Sequence, residues 1–216
     1  NPLITTTYGL GQAVKQAMGD GFRKFVVGIG GSATNDAGAG MAQALGIRLL
    51  DAYGNELGFG GEELSRLANI DMSRLDKRIK ECKFEVACDV NNPLTGPEGA
   101  SAIYGPQKGA TVDMVAKLDE ALMHFAEIVK KDIGVEINNM RGAGAAGGLG
   151  GGMVAFLDGR LRSGVDIVLD IVGLNEQLDG SHLVITGEGC MDYQTVYNKA
   201  PIGVAHRARS KRVPVI

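Results

Sequence analysis

Tryptophan is absent from this 216-residue sequence, and Phe and Tyr together supply only 5% of it. The core must therefore rest on Val, Ile, Leu, Ala and Met. Cysteine is scarce as well: Cys82, Cys88 and Cys190 are odd in number, irregular in spacing and never form a CxxC pair, which argues against a disulfide framework or a zinc site. That usage suits a reducing cytoplasm. No run of 18 apolar residues occurs, so no membrane span is expected. There is no basic excess either. The net charge is −3 and the one dense basic run, Arg207, Arg209, Lys211 and Arg212, reads as a solvated helix end, so no nucleic-acid partner is expected. The first residues, from Asn1 to Thr5, lack a start methionine and the pattern of a signal peptide, and the last, from Val213 to Ile216, read as the opening of a buried strand. The chain is accordingly read as a piece of a longer protein.

Glycine is abundant instead. Its 33 copies are roughly twice the usual share, and they gather in short blocks rather than along a linker. Such blocks let backbone approach a ligand or another segment closely. Between them, apolar runs alternate with helical periodicity. Helix-compatible spacing covers Thr5 to Met18. The run from Lys24 to Ile29 predicts a strand buried on both faces, and an Ala/Met/Leu-rich helix follows to Leu45. Phe84 to Cys88 predicts a second buried strand, and 89–110 a long loop with little regular structure. The clearest helix runs from Asp113 to Ile133, with Met114, Leu118, Ala121, Leu122, Phe125, Ile128 and Val129 along one face. Asp166 to Val172 fits a strand or a buried helix. Leu183 to Thr186 predicts a third buried strand, and Pro201 to Arg212 a helix with proline in its first turn. Strands alternating with helices place the chain in the α/β class.

Four segments carry residues suited to chemistry. Gly28-Ile-Gly-Gly-Ser-Ala-Thr-Asn-Asp36 follows a strand and opens a helix, so its backbone N–H groups are placed to hold phosphate or carboxylate. It is neither a Walker A loop nor a GxGxxG fingerprint, and no acidic ribose-binding residue follows at dinucleotide spacing, which disfavours a nicotinamide oxidoreductase. A plain turn with Ser32 or Thr34 as helix cap would look the same. The second segment puts Asp89 at a strand end, followed by Asn92 and, in Tyr104-Gly-Pro-Gln-Lys-Gly109, by Lys108. Asp89 suits proton abstraction and Lys108 suits an anion, while a loop held by Asx and proline turns is the bland alternative. The third, from Gly142 to Gly152, has no functional side chain and serves either close helix packing or backbone contact with a ligand. The fourth, Thr186-Gly-Glu-Gly-Cys-Met-Asp192, adds Glu188 and Asp192, a pair able to hold Mg²⁺, with Lys199 beyond; ordinary loop carboxylates are the alternative. His124, His182 and His206 lack partners in the pattern and read as structural or surface residues.

Taken together and in order, these segments, with Ala87-Cys-Asp89, Asn92-Pro-Leu94 and Pro201-Ile-Gly-Val-Ala205, resemble the bacterial glycerate kinase type I family along essentially the whole chain. The resemblance implies ATP-dependent phosphorylation of D-glycerate, with 2-phosphoglycerate as product, Mg²⁺, and a cytoplasmic setting. A homodimer is left open. It also implies a restriction-enzyme-like α/β domain, a mixed sheet flanked by helices, inserted into a flavodoxin-like domain. On that basis 1–216 is the inserted domain and 205–216 leads into the flavodoxin-like one. The site residues expected are Asp89, Asp192 and Lys199 for catalysis. Gly30, Gly31, Ser32, Thr34, Asn35, Asp36, Asn92 and Lys108 are expected for substrate or phosphate, and Glu188 with Asp192 for the metal. The family carries arginine where this chain has Cys190, and glycine where it has Ala37 and Asn198. The 216-residue chain alone is expected to be an inactive fragment that retains an anion- or substrate-binding surface.

Overall fold

The computed structural model describes residues 1–189 and 200–216. They divide into two compact units, Asn1–Leu161 and Arg162–Ile216.

In the first unit, α1 (Tyr8–Gly19) buries Gly11, Val14 and Met18, the i, i+3, i+7 stripe of an amphipathic helix. It begins later than the predicted Thr5 because the threonines bond elsewhere: Thr5 Oγ1 donates to the Ala33 carbonyl and Thr7 Oγ1 to Asp36. The chain continues through β1 (Lys24–Gly28), α2 (Ala39–Ala44) and β2 (Arg48–Leu50), which pairs antiparallel with β3 (Asn69–Asp71). After β4 (Lys83–Ala87) come α3 (Ala100–Tyr104), a 3₁₀ turn at Pro106–Lys108, α4 (Val112–Ile133), α5 (Leu149–Leu157) and β5 (Arg160–Arg162). The main sheet has the order β1-β4-β5, with β1 and β4 parallel and Lys24 opposite Lys83. Helix α5 packs on β4, and α4 packs on α3 and β3.

Helix α4 matches its predicted span and buries Leu118, Ala121, Leu122, Phe125 and Val129. Thr111 Oγ1 accepts from Met114 N at 3.3 Å as its N-cap, and Gly134 at φ 83° ends it. Two expectations are corrected. Strand β1 is not buried on both faces: Phe25 and Val27 turn inward, whereas Val26 is 54% exposed. The strand lies at the sheet edge with one face covered within this unit, and a continuous apolar run cannot reveal that. Residues 89–110 are not irregular throughout, since they hold α3 and the 3₁₀ turn, elements too short to show helical periodicity.

The second unit holds α6 (Gly164–Ile171), α7 (Leu174–Leu178) and α8 (Ala200–Ser210) around Leu178, Ala208 and Val213. Arg207 forks onto Asp166 at 2.9 Å and Asp170 at 2.7 Å and so ties α8 to α6. The ambiguous 166–172 segment is a helix. The predicted buried strand at Leu183–Thr186 is present only as an isolated parallel bridge, Val184 with Val215, and Leu183 and Ile185 are exposed. Val184 packs on the Leu178, Ala208 and Val213 core, so one face of the segment is partly covered and the other is open.

Candidate active site

The parallel register of β1 and β4 carries both strands to the same end of the sheet, where α/β proteins place ligands. A cavity of about 290 Å³ opens there. Residues 29–32, after β1, form one wall. Residues 87–90, at the end of β4, form another. Tyr104, Gln107 and Lys108 come from α3 and the 3₁₀ turn, and Ala145 and Ala146 close the floor from the glycine-rich segment. Of the predicted residues, the fold thus brings together Gly30, Gly31, Ser32, Asp89 and Lys108.

Lys108 is the electrostatic centre. Its Nζ donates to Ser32 Oγ at 3.1 Å and to the Thr34 carbonyl at 2.6 Å. An ammonium has three donors, so one is left for the cavity. Burial pushes its pKa down from 10.5 to about 8, against the opposing pull of the Asp36 charge. Gly31 sits at φ 67°, and among the described residues no group accepts from the N–H of Gly30, Gly31 or Ser32. These amides make a concave donor surface beside the ammonium.

Thr34 lies behind Lys108 and contributes its carbonyl rather than its side chain. That carbonyl also forbids a side chain on Gly147, where a Cβ would come within 2.0 Å of it. Gly147 returns a hydrogen bond from its own carbonyl to Ala37 N at 3.0 Å. The glycine-rich segment therefore packs backbone on backbone against 34–37, and Ala145 and Ala146 reach the cavity because of it.

Asn35 and Asp36 do not line the cavity; both are fully buried. Asp36 Oδ2 accepts from Thr7 N at 2.8 Å, Thr7 Oγ1 at 2.9 Å and Gly40 N at 3.2 Å, and Oδ1 accepts from Gly38 N at 3.2 Å. The carboxylate thereby knots the starts of α1 and α2. Asn35 Nδ2 donates to Ser101 Oγ at 3.0 Å, and its Oδ1 has no partner among the described residues. Asn92 sits one layer behind the wall. Its Oδ1 accepts from the Tyr104 hydroxyl at 2.6 Å, its Nδ2 donates to the Glu98 carbonyl at 2.8 Å, and its own carbonyl accepts from Gly144 N.

Glu188 belongs to the second unit, and Asp192 and Lys199, like Cys190 and Asn198, lie outside the described residues. No group of three His, Cys, Asp or Glu suited to a metal comes together among the described residues. Sequence reasoning passed over Tyr104, Gln107 and Cys88 as site residues. Gln107 directly precedes Lys108 within the turn, and that adjacency was its only signal. Cys88 is half-buried, donates from Sγ to the Val90 carbonyl at 3.4 Å, and has its thiol pKa raised by burial. His124 is structural, bonded through Nε2 to the Leu67 carbonyl at 2.6 Å.

The sequence model of the Glycerate kinase family matches residues 1–216. The chain is 55% identical to a glycerate kinase of Bacillus subtilis, 54% to one of Halalkalibacterium halodurans and 52% to a glycerate 2-kinase of Escherichia coli, over its full length each time. It spans 56% of the Bacillus subtilis relative and 57% of the other two, little more than half. A crystal structure assigned as glycerate kinase 2 from Salmonella typhimurium LT2 superposes with a TM-score of 0.92 at 52% identity, covering 100% of this chain and 57% of that one. A sheet end that carries a glycine turn, a lysine and an aspartate thus coincides with full-length sequence and structural likeness, and the chain belongs to the glycerate kinase family.

Proposed function

We propose that this chain is the acceptor-binding part of an enzyme that transfers phosphate from MgATP to D-glycerate, giving 2-phosphoglycerate. The carrying observation is Lys108, fixed by Ser32 and Thr34 at the mouth of the glycine turn and in one cavity with Asp89. Phosphoryl transfer asks a protein for alignment and charge neutralisation rather than for covalent chemistry. Lys108 and the amides of residues 30–32 supply a positive, donor-rich wall that aligns the anionic acceptor. Asp89 is the group placed to accept the hydroxyl proton. The names of the relatives, glycerate kinase and glycerate 2-kinase, support the substrate and the position phosphorylated.

Mg²⁺ enters as part of the nucleotide substrate. Such an ion is ordinarily held by one or two carboxylates plus phosphate oxygens. Glu188 and Asp192 are the pair proposed for it, with Lys199 to neutralise charge. In this reading the first unit is the inserted restriction-enzyme-like domain, the second returns to the flavodoxin-like domain, and the enzyme works in the cytoplasm. No helix among the described residues is long and apolar enough to cross a membrane.

The test is a chimera in which this chain replaces the matching 216 residues of the Escherichia coli relative. A coupled assay is expected to show ADP release that depends on both D-glycerate and MgATP. A folded chimera that releases no ADP overturns the kinase reading and leaves a binding fragment. The 216-residue chain by itself is expected to release none.

A further inference from the structure

The geometry points to a division of labour: the cavity at the ends of β1 and β4 binds the hydroxy acid, carboxylate on Lys108 and hydroxyl on Gln107, and does not bind the nucleotide. The inference rests on the kinase reading above and deepens it.

Volume is the first argument. At roughly 30 Å³ per water-sized group in a liquid, an acid of about seven heavy atoms needs on the order of 200 Å³. A nucleoside triphosphate of about thirty heavy atoms needs several times that. The cavity offers about 290 Å³. It takes the acid with a water or two, whereas a purine and ribose would have to lie largely outside its walls.

Charge is the second, and it also excludes the triphosphate tail on its own. Among the described residues that line the cavity, Lys108 is the one cation and Asp89 the one carboxylate. A monoanion suits one ammonium. The triphosphate of MgATP, left with about two net negative charges by its Mg²⁺, would still meet a single cation and a carboxylate of its own sign. The open amides of Gly30 to Ser32 add neutral donors, enough for a second carboxylate oxygen.

The third argument concerns the hydroxyls. Gln107 is exposed and lines the cavity. Its amide both donates and accepts, so it can complete the hydrogen bonding of an alcohol. The Tyr104 hydroxyl already donates its proton to Asn92 Oδ1 at 2.6 Å, so toward an alcohol it is left only to accept. Gln107 is therefore the specificity residue. It distinguishes a hydroxy acid from the corresponding plain acid, because loss of the hydroxyl leaves the amide without its partner.

Titration calorimetry on the 216-residue chain tests this, with D-glycerate as ligand and a non-hydrolysable ATP analogue as competitor. D-glycerate is expected to bind, Lys108→Met to weaken it by about tenfold or more, the worth of one charge-assisted hydrogen bond, and the analogue to leave the isotherm unchanged. Absence of glycerate binding, equal binding by Lys108→Met, or displacement of glycerate by the analogue overturns the inference. Lys108 also holds the turn, so Gln107→Leu is the second variant. It is expected to lower affinity for D-glycerate several-fold and to leave propionate affinity unchanged. An equal loss for both acids removes the hydroxyl role. Turnover by the chimera with no effect of Lys108 on glycerate binding sinks this inference and spares the kinase reading. Glycerate binding that depends on Lys108 without chimera turnover does the reverse.

Discussion

The Lys108 ammonium and the Ser32 hydroxyl meet at 3.1 Å although 76 positions separate them in the chain. The bond fastens the 3₁₀ turn after α3 to the glycine turn after β1. It also fixes where the charge points, since two of the three ammonium donors are already engaged.

The first prediction concerns pH. With the Lys108 pKa pushed down to about 8 from 10.5, affinity for D-glycerate is expected to fall as pH rises through about 8. The same titration in Lys108→Met should be flat there. Stability moves the other way. Between about 8 and 10.5 the unfolded chain holds a proton that the folded chain has released, so Lys108 makes stability rise with pH across that window. Thermal melts of the two proteins from pH 7 to 10 check the sign by difference.

Asp36 is expected to matter for folding first. Asp36→Ala leaves the N–H groups of Thr7, Gly38 and Gly40 buried without their acceptor. The expected loss is about 3 kcal/mol or more, read as a lower urea midpoint with unchanged slope. Where the variant remains folded, its affinity for D-glycerate should fall near neutral pH, because the Asp36 charge holds up the pKa of Lys108 although the carboxylate does not itself line the cavity.

Gly147→Ala combines two faults. The position has φ 69°, and a Cβ would lie 2.0 Å from the Thr34 carbonyl. Destabilisation of at least about 2 kcal/mol is expected from strain and overpacking. Because the displaced carbonyl is the one that Lys108 uses, glycerate affinity should fall as well, which calorimetry on the folded fraction reads.

Cys190→Arg restores the residue that the family resemblance expects. A guanidinium forks onto carboxylate or phosphate where a thiol does not. In the chimera this change is expected to raise ADP release by roughly tenfold, the worth of one charge-assisted hydrogen bond. Unchanged turnover would show that the arginine is dispensable in this background.

Local chemistry made part of this architecture readable. The periodicity of 112–133 is long enough to define a helix and its buried face, and the apolar run of 24–29 puts Gly30, Gly31 and Ser32 at a strand end, but nothing in the sequence brings Lys108, 76 positions on, beside Ser32. Asn35 and Asp36 looked equally functional in the sequence, yet they turn inward. A side chain that closes a knot with Thr7, Gly38 and Gly40 has the same letters as one that faces a ligand. Gln107 and Tyr104 were hidden for the opposite reason, since nothing in a short polar turn announces which side chains a five-residue helix will aim at a cavity. The exposure of Val26 was not legible because an edge strand and a central one share the same apolar run.

The contact of residues 34–37 with the 142–152 segment has a consequence for how such a protein can diverge. Each backbone is the mould of the other, so neither can accept a side chain without the other being recast at once. Variation is steered toward rim positions such as Gln107, where one exchange disturbs no neighbour's shape. A descendant that prefers a different small acid would be expected to differ there, and to keep its glycines.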